Sequence, residues 1–201
     1  YEILTCDWSS DVCSSDLTGM RFARPIRWLL ALCDGQVVPF EIGGIASGAR
    51  TWGHRFLAGV GGQAGRPRVV KGLREYRDAL AQAGVVPEPD RRRALIVSQL
   101  DELAASVKGK PEHDEDLLER AVFTVECPQT ILGSFDRAYL AVPAEVLKTA
   151  MKEHQGYFPV VDHQGGLLPR FLSVSNMKLR NMELIRKGNE RVLAARLADA
   201  K

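Results

Sequence analysis

The sequence predicts an α/β (or α+β) layered module of mixed sheet and helices, and three observations carry the prediction. Runs of β-branched and aromatic residues intermix with segments of helical periodicity along the whole patterned chain, which is the mark of layers rather than of a bundle or a sandwich. The chain has 201 residues, 45% hydrophobic and 26% charged, enough apolar material for a sizeable core. Turn and cap signals fall between the periodic segments, so each has a defined start and stop.

The first stretch stands apart. Residues 1–17 read YEILTCDWSSDVCSSDL, with Ser-Ser-Asp twice and no helical or strand period. Residues 1–19 are therefore expected to be a non-native leader and are set aside. Residues 20–180 are expected to form the α/β module, and 181–201 a helical segment that ends in mid-pattern, as in an internal fragment. After Met20, an apolar block from Ile26 through Trp28 to Leu32 fits either a strand or a buried helix. Asp34-Gly35 then turns the chain into QVVPFEI, Gln36 to Ile42, a strand-like run whose Pro39 suits an edge or a bulge, so a hairpin is expected. Gly43 to Gly65 reads as a glycine-rich loop with a short strand.

Helical spacing begins at Lys71, with Leu73, Tyr76 and Leu80 on one face and Gly84 as the C-terminal stop. Val85-Val86 looks strand-like. Asp90 is expected to cap a second helix with Ile96, Leu100, Leu103 and Val107 inward, ended by Gly109 and Pro111. A third helix opens at Asp114 or at Asp116, the latter making a capping box with Glu119, and buries Leu118, Ala121, Val122 and Val125. Gln129 to Phe135 reads as a strand. Pro143 in the first turn starts a helix with Val146, Leu147, Ala150 and Met151 inward. Tyr157–Val161 and Leu167–Val174 form a hairpin around a glycine-bearing loop. Met182 to Lys201 is helical with a break expected at Gly188-Asn189, and Val192, Leu193, Leu197 and Ala200 make its buried stripe.

Composition excludes several classes of function. No apolar run reaches the roughly 20 residues of a membrane span, so no membrane role is expected. Cys6, Cys13, Cys33 and Cys127 lack paired spacing, which fits reduced thiols, and no export signal opens the chain; a cytoplasmic location is expected by elimination. There is no phosphate-binding G-x-x-x-x-G-K-S/T, no dinucleotide fingerprint, no G-x-S-x-G and no H-E-x-x-H. No catalytic, cofactor-binding or metal residue is assigned.

Three basic clusters remain as candidates, one of them Arg21, Arg24 and Arg27. Lys152-Glu153-His154-Gln155 closes one helix, where Lys and His complement the helix dipole whether or not they also touch a ligand. Lys187, Arg191 and Arg196 lie near the C-terminus, and residues 148–201 hold 10 basic against 5 acidic side chains although the whole chain is only +2. That polarised charge makes Lys152, His154, Arg191 and Arg196 the candidate contacts for an RNA or a protein partner.

Five ordered blocks carry a resemblance: RFARPIRW at 21–28, GHRF at 53–56, VPAEVL at 142–147, MKEHQGYFPV at 151–160 and GNERVLAARLADAK at 188–201. Together they resemble the β subunit of bacterial heterotetrameric glycyl-tRNA synthetases, with one departure, Gly156, where that family carries lysine. The resemblance implies an internal module similar to the editing-type module of the phenylalanyl-tRNA synthetase β subunit, leading toward an HD-type helical domain. It implies the joining of glycine to its tRNA with ATP. Adenylate chemistry, ATP and magnesium would sit in the α subunit of an α2β2 heterotetramer, and this chain would help hold the tRNA for glycine and the α subunit. A hydrolytic editing module and a purely structural interaction domain are the alternatives. Editing is the less needed, because a glycine pocket excludes larger side chains sterically.

Overall fold

The computed structural model describes residues 26–54, 57, 65–176 and 182–199, so the expected leader at 1–19 lies outside the described residues. The chain divides into two compact units, Tyr1–Ala83 and Gly84–Lys201. The division falls within the span 20–180 that the sequence treats as one module.

In the first unit the ambiguous apolar block becomes strand: β1 is Leu29–Leu30 and β2 is Leu32–Cys33. The Asp34-Gly35 turn produces the expected hairpin, with Cys33 of β2 facing Gln36 of β3 (Gln36–Val37). Both turn residues have positive φ, 49° and 78°, the mirror-image turn that matches strand twist and that Asp-Gly tolerates. Pro39 lies between β3 and β4 (Glu41–Ile42). A second tight turn at Gly43-Gly44 pairs β4 with β5 (Ile45–Gly48), and β5 also runs parallel to β1. β6 (Arg50–Thr51) pairs with β7 (Arg68–Val69), followed by helix α1, Leu73–Gln82. Leu73 does not join the buried face expected of it: it is exposed, and Ala79, Leu80 and Ala83 are the residues covered.

The second unit is a four-stranded sheet between two pairs of helices. Val85-Val86 is irregular rather than strand, Val86 N–H donating to Glu126 C=O at 2.7 Å. Helix α2 is Pro89–Ser106. Its N-cap is Glu88 and not Asp90, because Pro89 suits the first helical position and holds the preceding residue extended. Strand β8 is Lys110–Pro111. Of the two starts expected for the third helix the structure takes the first: α3 is Glu115–Thr124, and Asp114 Oδ1 accepts the Leu117 N–H at 2.9 Å. Strand β9, Gln129–Ser134, leads through a short 3-10 turn at Arg137–Ala141 to α4, Ala144–Gln155. Val146 of α4 faces solvent instead of the core. Gly156 ends α4 at φ 65°, a left-handed cap that glycine adopts without strain. The hairpin forms as expected from β10 (Phe158–Val161) and β11 (Leu167–Ser175). The chain ends in α5, Met182–Asp199.

The sheet order is β8-β10-β11-β9, every neighbour antiparallel. Successive residues of β11 point to opposite faces. Leu172, with Phe158 and Val160, packs under Ile96, Leu100, Leu118 and Val122 of α2 and α3. Phe171, with Tyr157, packs under Leu147 and Met151 of α4 and Leu193 and Leu197 of α5. Helix α5 thus belongs to the core of the second unit. It also runs unbroken through Gly188-Asn189. The pair costs helix propensity of about 1 kcal/mol, but Asn189 Nδ2 donates to the buried Ser173 Oγ at 2.9 Å and Glu190 reaches Ser134 at 2.8 Å, holding the backbone helical. Val192, expected in the stripe, is 47% exposed, while Ala200 lies outside the described residues. Among the described residues no helix is long and apolar enough to cross a membrane.

Candidate functional site

The four candidate contacts separate into two environments. Lys152 is turned inward from α4: its Nζ lies 3.1 Å from Glu112 Oε1 and 3.3 Å from Asp114 Oδ2. Lys148, one turn earlier on the same face, lies 3.2 Å from Glu112 Oε2 and 3.2 Å from Glu145. Two lysines of α4 and two carboxylates at the β8–α3 junction therefore make a half-buried ion cluster that ties those elements together. Asp114, which caps α3, is held below the ordinary carboxylate range, first by the Leu117 N–H, against an upward push from burial, and then by Lys152. Burial works against the Lys148 charge, but its two glutamate partners outweigh it and raise its pKa. The ammonium of Lys152 is thus engaged inside the protein. His154, by contrast, is exposed in the last turn of α4.

Arg191 and Arg196 are both exposed on α5, and neither makes an ion pair or hydrogen bond to the described residues. They are five residues apart, roughly 140° around the helix, so they flank one outer face instead of stacking along it. Lys187, one turn before Arg191, is 69% exposed, and its ion pair among the described residues is with Glu183, at 3.8 Å. Arg186 faces the other way, paired with Glu183 and with Glu190, 2.9 Å from its Nη1. The helix sorts its charge in part: Glu190 reaches the sheet at Ser134 and holds Arg186, while Arg191 and Arg196 are left outside.

Sequence reasoning missed Glu112, Ser134 and Glu190, because their partners come from 40 and 56 residues away and no local spacing announces them. His54 of the GHRF block is 1% exposed, with Nδ1 accepting the Leu57 N–H at 3.3 Å. Among the described residues no three His, Cys, Asp or Glu side chains converge as a metal site, and Cys33 is a free thiol.

Comparison with known proteins meets this geometry. The family model described as the glycyl-tRNA synthetase beta subunit matches residues 8–201, and the chain belongs to that family. That match takes in residues 8–19, which the sequence reading set aside. The chain is 44% identical over 181 residues to the glycine–tRNA ligase beta subunit of Syntrophotalea carbinolica, 47% over 181 residues to that of Moorella thermoacetica and 43% over 182 residues to that of Geobacter sp. strain M21. Each match covers 90% of this chain and 25–26% of the relative, so the chain spans about a quarter of the length of the curated relatives it matches.

Proposed function

We propose that this chain is part of the β subunit of a cytoplasmic glycine–tRNA ligase and supports ATP-dependent attachment of glycine to its tRNA by binding tRNA and by assembly with an α subunit. In this reading the α subunit of an α2β2 heterotetramer carries the chemistry with ATP and magnesium. The present residues hold and orient the RNA, which lowers the entropic cost of bringing its acceptor end to a distant centre. The likeness of the second unit to the editing-type module of the phenylalanyl-tRNA synthetase β subunit, and the lead of residues 181–201 toward an HD-type domain, belong to the same proposal.

The observation that carries the RNA-binding part is the outer face of α5, where Arg191 and Arg196 stand exposed with their guanidinium groups unengaged among the described residues, beside the exposed Lys187. Such groups gain by exchanging phosphate counterions into solution, a gain that falls as salt rises. The test is tRNA binding by full-length β subunit reconstituted with α. Arg191→Ala with Arg196→Ala weakens binding and makes the plot of log affinity against log salt shallower by about 1–2, one contact per arginine. Unchanged affinity and slope overturn the assignment of these arginines.

A further inference from the structure

The first unit carries an aromatic pair, one member of which comes from the RFARPIRW block, that the α5 reading does not use. Trp28, directly before β1, and Trp52, directly after β6, have ring centroids 4.6 Å apart and planes tilted by 42°. Trp28 keeps 38% of its surface exposed, so the pair opens to solvent. Arg50 lies two residues before Trp52 on β6 and shares its side of the strand. Its cross-strand partner on β7 is Val69, 64% exposed, whereas Thr51 between Arg50 and Trp52 is 3% exposed. One side of this ribbon therefore presents an arginine, an uncovered valine and two indoles together.

The segment that carries that face is predominantly basic. From Arg27 to Lys71 the sequence holds six basic residues against only Asp34 and Glu41. Arg27, Arg50, Arg66 and Lys71 are exposed, and Arg27 and Arg50 make no ion pair among the described residues. A partner must be anionic and must offer flat apolar surface to the indoles. A duplex hides its base faces in its own stack, and an acidic peptide answers the arginines but has no faces for the rings. A single-stranded nucleic acid supplies both, its bases stacking on aromatic side chains and its phosphates meeting guanidinium groups.

We propose that Trp28, Trp52 and Arg50 form a binding surface for single-stranded RNA, the indoles stacking bases and Arg50 holding a phosphate; the inference rests on the RNA-handling role proposed above and assigns it a second contact, independent of α5. The experiment uses full-length β subunit reconstituted with α and a labelled eight-nucleotide oligo(A), followed by anisotropy and by quenching of tryptophan fluorescence. Wild type binds with quenching, Trp28→Ala weakens binding about tenfold, and Trp28→Phe keeps most of it. Arg50→Gln, a change at an exposed side chain that leaves the fold intact, weakens binding and makes the salt slope shallower by about 0.7. The α5 double variant binds oligo(A) as wild type does. Absence of oligo(A) binding, identical binding by Arg50→Gln, or equally tight binding of poly-glutamate overturns the proposal. Measuring tRNA on the same preparations separates the two readings: tRNA binding that depends on Arg191 and Arg196, with no oligo(A) binding, removes this surface alone, whereas oligo(A) binding without tRNA binding removes the α5 reading and leaves this one.

Discussion

Glu190 of α5 closes the open edge of the sheet at Ser134 of β9: its Oε1 accepts both the Ser134 N–H and the Ser134 Oγ–H, each at 2.8 Å. The same oxygen takes Arg186 Nη1 at 2.9 Å. At the other end of β9, Gln99 Oε1 of α2 accepts the Thr130 N–H at 2.7 Å. An edge strand with bare N–H groups is a template for unwanted pairing, and here two helices fill those positions with side-chain oxygens. Glu190→Ala leaves Ser134 without its acceptor and Arg186 with one carboxylate fewer. It lowers stability in urea unfolding by about 2 kcal/mol, and Glu190→Gln, which keeps an acceptor oxygen, loses less.

The Lys152 cluster makes a structural prediction. Lys152→Met strips Glu112 and Asp114 of their shared cation in a half-buried site. The variant is less stable by about 2 kcal/mol in denaturant titration, while its affinity for tRNA stays within twofold of wild type.

The depressed Asp114 carboxyl sets an acid dependence. A group whose folded pKa is lowered contributes stability above its unfolded pKa and loses it as pH falls through the folded value. Asp114→Asn keeps a capping oxygen for Leu117 but drops the charge that Lys152 favours. It unfolds at lower denaturant than wild type at pH 7, and the two midpoints converge as the pH is taken below about 4. A gap that persists unchanged into acid contradicts this assignment.

Two glycines in the second unit give opposite outcomes on substitution by alanine. At Gly133 of β9 a methyl group would run into the ring of Phe171, itself fully buried. Gly133→Ala therefore costs about 2 kcal/mol through overpacking. At Gly188, within α5, the same methyl meets nothing within 4 Å. Gly188→Ala raises the midpoint of thermal unfolding, stabilising by about 0.5–1 kcal/mol.

The proposed division of labour is open to a direct assay. Full-length β subunit alone shows no glycine-dependent ATP–pyrophosphate exchange, and adding α restores it. Exchange by β in the absence of α places adenylate chemistry in this subunit.

What the sequence revealed and what it hid follow from range. Features written within a few residues were legible: the Asp34-Gly35 turn, the β10–β11 hairpin, the Asp114 cap and the inward faces of α2 and α3 all depend on neighbours in the chain. Features decided by distant partners were not. Gly188-Asn189 reads as a helix breaker until Ser173 and Ser134 are placed beside it. Lys152 reads as a solvated cap until Glu112 arrives from 40 residues away. Arg92 is one of three consecutive arginines, yet it alone is fixed to the carbonyls of Val86, Pro87 and Val122, which no local pattern distinguishes. Among the candidate contacts, the outward placing of Arg191 and Arg196 was legible as charge on a helix, since their surroundings are solvent and nothing remote redirects them.

The two grips on β9 come from opposite layers, Gln99 at Thr130 and Glu190 at Ser134. The strand is consequently pinned at two points, Thr130 and Ser134, by helices on its two faces. The two layers resist being peeled apart one at a time.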